Sequence, residues 1–133
     1  MSAQATGTFK IEGWEEQPFA DVDGGRKLTQ ASVKQAFAGD VEGEGAVEFL
    51  MCYRPDDTAD FVGLQRIAGR LGERSGSFVL IQTDGSFDGK VARGLLEVVP
   101  GSGTGELEGL RGSGEFSAPH GGEPSISLEY DFE

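Results

Sequence analysis

The chain has 133 residues, 23 acidic against 11 basic side chains, a net charge of −12, 22 glycines, one cysteine and one histidine. That length fits a single domain over residues 1–133, with enough chain to bury a hydrophobic core without disulfides. The charge repels phosphate backbones and anionic headgroups, which argues against nucleic acid and membrane partners. One cysteine and one histidine without paired spacing argue against a metal site, and no cofactor is expected.

The glycines punctuate segments rich in Val, Ile, Leu and Phe, which predicts strands with short turns. Residues 6–14 alternate, with Phe9 and Ile11 on one face and Thr8, Lys10 and Glu12 on the other. Pro18 and residues 21–25 predict a loop. A second strand over 28–37 carries Ala31, Val33 and Phe37 inward and ends at the turn Gly39-Asp40. Residues 41–53 put Val47, Phe49, Met51 and Tyr53 on the inner face and Glu42, Glu44 and Glu48 on the outer one. Pro55 with Asp56 and Asp57 then turns the chain into a fourth strand, 59–71, whose inner set is Phe61, Gly63, Gln65 and Ile67.

A fifth strand, 74–83, has Gly76, Phe78, Leu80 and Gln82 inward, and Asp84-Gly85 and Asp88-Gly89 read as turns. Residues 90–99 and 112–118 form strands six and seven. The last segment places Ile126, Leu128, Tyr130 and Phe132 on one face. Eight strands, no helical period and one polar face per strand predict an all-β, eight-stranded antiparallel barrel. Such a barrel holds either its own side chains or one small ligand.

Four strings carry a resemblance: Ala5-Thr6-Gly7-Thr8-Phe9, residues 39–45 (Gly-Asp-Val-Glu-Gly-Glu-Gly), residues 74–80 (Arg-Ser-Gly-Ser-Phe-Val-Leu) and residues 98–112. Together they resemble an uncharacterised bacterial family, a domain of unknown function, over nearly the whole chain. The resemblance implies a calycin-type barrel similar to allene oxide cyclase and the dirigent proteins. In some relatives such a barrel guides cyclisation of a reactive apolar molecule, and many are oligomeric. The chain departs from the family's pattern at Gln65-Arg66, where Glu-Arg is common, and at Ile81-Gln82, where Gln-His is common. Amides at Gln65 and Gln82 hold hydrogen bonds but do not form an acid–base pair.

The glycines of 101–105 lack the Gly-Lys-Ser/Thr of a phosphate loop, and Glu106 stands where a dinucleotide fingerprint needs its third glycine. They predict tight corners or a loop crossing close over a barrel end. His120, in a Pro- and Gly-rich loop, reads as solvated; a functional role requires that loop to reach the barrel mouth, with Glu123 or Glu106 orienting the ring. Cys52 reads as packing rather than as a reactive thiol.

The expected function is binding of a small apolar or amphipathic molecule in the cytoplasm. Phe49, Phe61, Phe78, Phe116, Trp14 and Tyr130 would line the pocket, and Gln65, Gln82, Tyr53 and Arg66 would orient the ligand. A cofactor-independent isomerase or cyclase and a structural barrel filled by its own side chains are the alternatives. Leu50, Cys52, Val62, Leu64, Val79 and Ile81 form an outward apolar stripe, which predicts a homo-oligomer, dimer or trimer.

Overall fold

The computed structural model describes residues 2–22 and 24–133. Eight antiparallel strands close into a barrel in chain order: β1 (Ala3–Val22), β2 (Arg26–Gly39), β3 (Val41–Tyr53), β4 (Ala59–Leu71), β5 (Arg74–Phe87), β6 (Val91–Val98), β7 (Leu110–Pro119) and β8 (Ser125–Phe132). β3 and β4 span the predicted residues, and their predicted inner sets include the buried Val47, Phe49, Met51, Phe61, Gln65 and Ile67. Alternation with one buried face fixes register here, because a slip by one residue would expose the whole set.

Three elements differ from the sequence-based expectation. β1 continues through Pro18 to Val22, because bulges at Ile11/Gly13 and Pro18/Ala20 absorb the irregularities that read as a loop. Asp84-Gly85 is no turn: β5 runs on to Phe87, with a register shift at Thr83/Ser86 and Asp84 at φ 52°. Residues 105–107 form one 3-10 turn, where no helical residue was expected.

Up-and-down order puts alternate connections at opposite ends of the barrel, here called upper and lower. The lower end is plugged. There β5 pairs with β6 only from Leu80 onward, and the 99–106 segment takes over its edge. Thr104 N donates to Ser77 O at 2.9 Å, Ser77 N to Thr104 Oγ1 at 3.0 Å and Ser75 N to Glu106 Oε1 at 3.0 Å. A Cβ on Gly76 would lie 2.0 Å from Thr104 O, so only glycine admits this crossing. The crossing drives Leu107 into full burial alongside a lower core that includes Val41, Leu71, Phe78 and Leu110.

The upper end is different. β8 pairs with β1 only over Ala3–Thr8, and Phe9 N makes the last link, to Pro124 O. Beyond it β1 keeps β2 as its ladder partner, which leaves a gap toward the β7–β8 turn. Among the described residues no helix is long and apolar enough to cross a membrane.

Candidate functional site

A cavity of about 430 Å³ occupies the upper half of the barrel, with Phe49, Phe61, Phe87 and Phe116 in its wall. Glycines on neighbouring strands make the room. Phe49 faces Gly63 across β3–β4, Phe61 faces Gly85 across β4–β5, and Phe116 faces Gly94 across β6–β7. A Cβ would lie 2.9 Å from the Phe49 ring at Gly63, 2.4 Å from the Phe61 ring at Gly85 and 2.7 Å from the Phe116 ring at Gly94. Each ring therefore rests over bare backbone at the wall, where a larger neighbour would force it toward the barrel axis. Phe49 and Phe61 meet edge to face at 5.1 Å, an arrangement that adds about 1 kcal/mol beyond their burial.

Three buried glutamines from three strands form the floor. Gln65 on β4 donates its Nε2 to Gln35 Oε1 on β2, and Gln82 on β5 donates its Nε2 to Gln65 Oε1 at 2.9 Å. Gly45 on the intervening β3 makes room for the Phe37 ring: a Cβ there would lie 2.5 Å from that ring and 3.4 Å, an ordinary contact distance, from Gln35 Oε1. Below this layer Ile67, Phe78, Leu80 and Val98 are packed. Gln82 Oε1 ends the chain, and it is the one buried side-chain polar atom among the described residues with no partner. An unsatisfied buried acceptor costs about 1–3 kcal/mol, and Gln82, which carries it, is also one of the residues that line the cavity.

A second polar cluster frames the mouth. Glu16 accepts from Thr29 Oγ1 at 2.6 Å, Tyr53 Oη at 2.7 Å and Trp14 Nε1 at 2.9 Å. Partial burial opposes ionisation of Glu16, but these three donors and the charge of Lys27 outweigh it and hold the carboxyl below its ordinary value. Burial, then the hydrogen bond to Glu16 and its charge, push the Tyr53 phenol upward, so Tyr53 stays protonated and serves as a fixed donor to Glu16. Lys27 Nζ lies 5.0 Å above the Tyr53 ring. Two aromatic side chains at the mouth are thus locked by one carboxylate.

Of the residues predicted to line the pocket or orient its ligand, the structure brings Gln65, Gln82, Tyr53, Phe49, Phe61, Phe116 and Trp14 to the cavity. Phe78 and Tyr130 are elsewhere. Phe78 is opposite Ile67, two inward positions below Gln82, and is fully buried; Tyr130 lies at the lower end, its hydroxyl beside Gly72 and its ring 6.0 Å from Phe132. Both have inward parity, but a barrel open at one end makes height as decisive as face. Arg66 points outward, opposite Ala46 and Val79, and cannot orient a ligand inside.

Residues absent from the predicted set complete the site. Gln35 shares the parity of Val33 and Phe37, which is the sequence signal for its inward position. Glu16 gives no such signal, because the bulge at Ile11/Gly13 reverses the phase of β1. His120, on the exposed β7–β8 turn, does line the mouth. Glu106 is at the lower end, bonded to Ser75 N, so it cannot orient that ring.

The outward stripe is broader than predicted. Leu50 faces Val62 and Leu64 faces Ile81 across neighbouring strands, while Phe19, Leu28 and Cys52 join Leu50 and Val62 around a shallow outer groove of about 640 Å³. Phe19, Leu50, Val62, Leu64, Ile81 and Leu95 are 40–59% exposed; Cys52 and Val79 are half-buried. Among the described residues no three His, Cys, Asp or Glu side chains cluster in a metal-binding arrangement.

The comparisons with known proteins agree with this fold. A search of curated proteins found no match. Among solved structures, a crystal structure of a protein of unknown function from the DUF3224 family of Shewanella oneidensis MR-1 is similar, with 31% sequence identity and a TM-score of 0.81 over 100% of this chain and 99% of that one. The model of the same family, described as a protein of unknown function, matches residues 5–130. The chain thus belongs to the DUF3224 family.

Proposed function

We propose that the barrel binds one small, largely apolar molecule through its upper mouth. The observation that carries this reading is the cavity itself, with aromatic rings held against the wall over glycines and an unpartnered amide oxygen at the floor. A volume of about 430 Å³ lies within the range of small-ligand sites. The cyclase alternative lacks a titratable pair at the floor, where the polar groups are three amides. Native mass spectrometry of protein purified from its own cells tests the reading. Retention of a small mass is the expected result; ligand-free protein that also takes up no apolar probe would overturn it.

The outer apolar face supports a second proposal, self-association through β3, β4 and β5 around Leu50, Val62, Leu64 and Ile81. A contiguous apolar surface of this kind marks an interface more often than a solvated wall. The same spectra report subunit number. A dimer or trimer is expected, and a 14.1 kDa monomer at micromolar concentration would contradict the proposal.

A further inference from the structure

The site's ligand has a definable chemistry; this inference rests on the binding reading above and goes beyond it to the ligand class. A quarter of the chain is charged, 26% by composition, yet among the described residues no Asp, Glu, Lys or Arg lines the cavity. Its titratable lining groups are Tyr53 and His120, both at the mouth, with Tyr53 already committed as donor to Glu16. A carboxylate or phosphate carried inward would lose its hydration and meet no cation. Burial of an unpaired ion is among the costliest events in a protein interior.

The floor carries the opposite preference. Reversing all three amides would only move the unpartnered group from Gln82 Oε1 to Gln82 Nε2, so Gln82 is the end of the chain in either sense. With the orientation seen, the free group is an acceptor. A ligand that brings a hydroxyl or amide N–H to the floor removes its cost, while an ether or ester oxygen there does not. From these two observations we infer that the ligand is a neutral molecule with an apolar body and one hydrogen-bond donor at its inner end, an alcohol, phenol or amide, and not a fatty acid or a phosphorylated lipid.

Decanol, methyl nonyl ether and decanoate test this directly, because they share chain length and differ in donor and charge. Trp14, the single tryptophan and a mouth residue, reports occupancy by fluorescence without a label. Decanol should bind roughly tenfold or more tightly than the ether, since a buried polar group left unpaired discriminates strongly, and decanoate should bind weakest at neutral pH. Ether binding equal to decanol would overturn the donor assignment, and decanoate binding as well as decanol would overturn the neutral one. Either result leaves the cavity reading standing, whereas binding of none of the three, seen both by Trp14 and by native mass spectrometry, would remove that reading and this inference together.

Discussion

The two ends of this barrel are built from the same strands and reach opposite outcomes. At the lower end the 99–106 segment crosses Gly76 and drives Leu107 into the core, so the interior is filled. At the upper end glycines serve the aromatic rings instead, drawing Phe49, Phe61 and Phe116 to the wall and leaving the middle open. A glycine thus closes the barrel where backbone crosses it and opens the barrel where a ring settles on it. The glutamine layer marks the boundary between the two regimes.

The sharpest way to break this contrast is to cut the same kind of side chain from each end. Leu107→Ala removes a fully buried plug and should cost about 3 kcal/mol in urea denaturation, whereas Phe116→Ala, which only widens an existing cavity, should cost about 2 kcal/mol or less despite removing more atoms. Equal or reversed ordering would mean that the upper half is packed after all. At the boundary, Gln65→Leu strands both Gln35 Oε1 and Gln82 Nε2 and should cost about 2 kcal/mol, while Gln82→Leu strands one partner but removes the atom already unpaired and should cost about 1 kcal/mol or less. Thermal melts of the two variants side by side decide this.

Gly94→Ala probes the open end with the least disturbance to the backbone, since the nearest obstacle is the Phe116 ring. It should push that ring inward at a cost of about 1 kcal/mol and weaken decanol binding several-fold; binding unchanged from the parent protein would refute the role given to the glycines. The smallest effect is electrostatic. The carboxyl of Glu16 is held below its ordinary value of 4.5, so the unfolded chain binds the proton more readily than the folded one. Its contribution to stability is present above pH 4.5 and is lost as the pH falls through the lower folded value. Glu16→Gln should therefore flatten the stability profile in that acid range. A parallel profile for both proteins would contradict the three-donor cluster.

Much of this was legible in the sequence where alternation was unbroken. β3 and β4 were readable to the residue because acidic outer positions and apolar inner ones alternate between clear turns. Gln65 and Gln82 followed from the same parity. What failed was parity across irregularities: the β1 bulge that turns Glu16 toward the mouth, and the β5 register shift concealed behind an Asp-Gly pair that resembles a turn. Height along the axis was invisible as well. Phe78 and Tyr130 point inward like Phe49 and Phe61, yet only the register and the 3-10 turn determine which half each one occupies. The pairing of Phe116 with Gly94 needed a strand match that no local pattern supplies.

The central claim, an upper cavity with a polar floor above a closed lower core, is tested most directly by mapping a probe onto it. Side-chain amide NMR signals of glutamine report on the floor without modification of the protein. Titration with decanol should shift the amide resonances of Gln65 and Gln82 together with the Trp14 indole, and leave the backbone of residues 104–107 at the lower end unmoved. Shifts confined to the outer face around Phe19, Leu50 and Val62, with Gln65 and Gln82 unaffected, would contradict it.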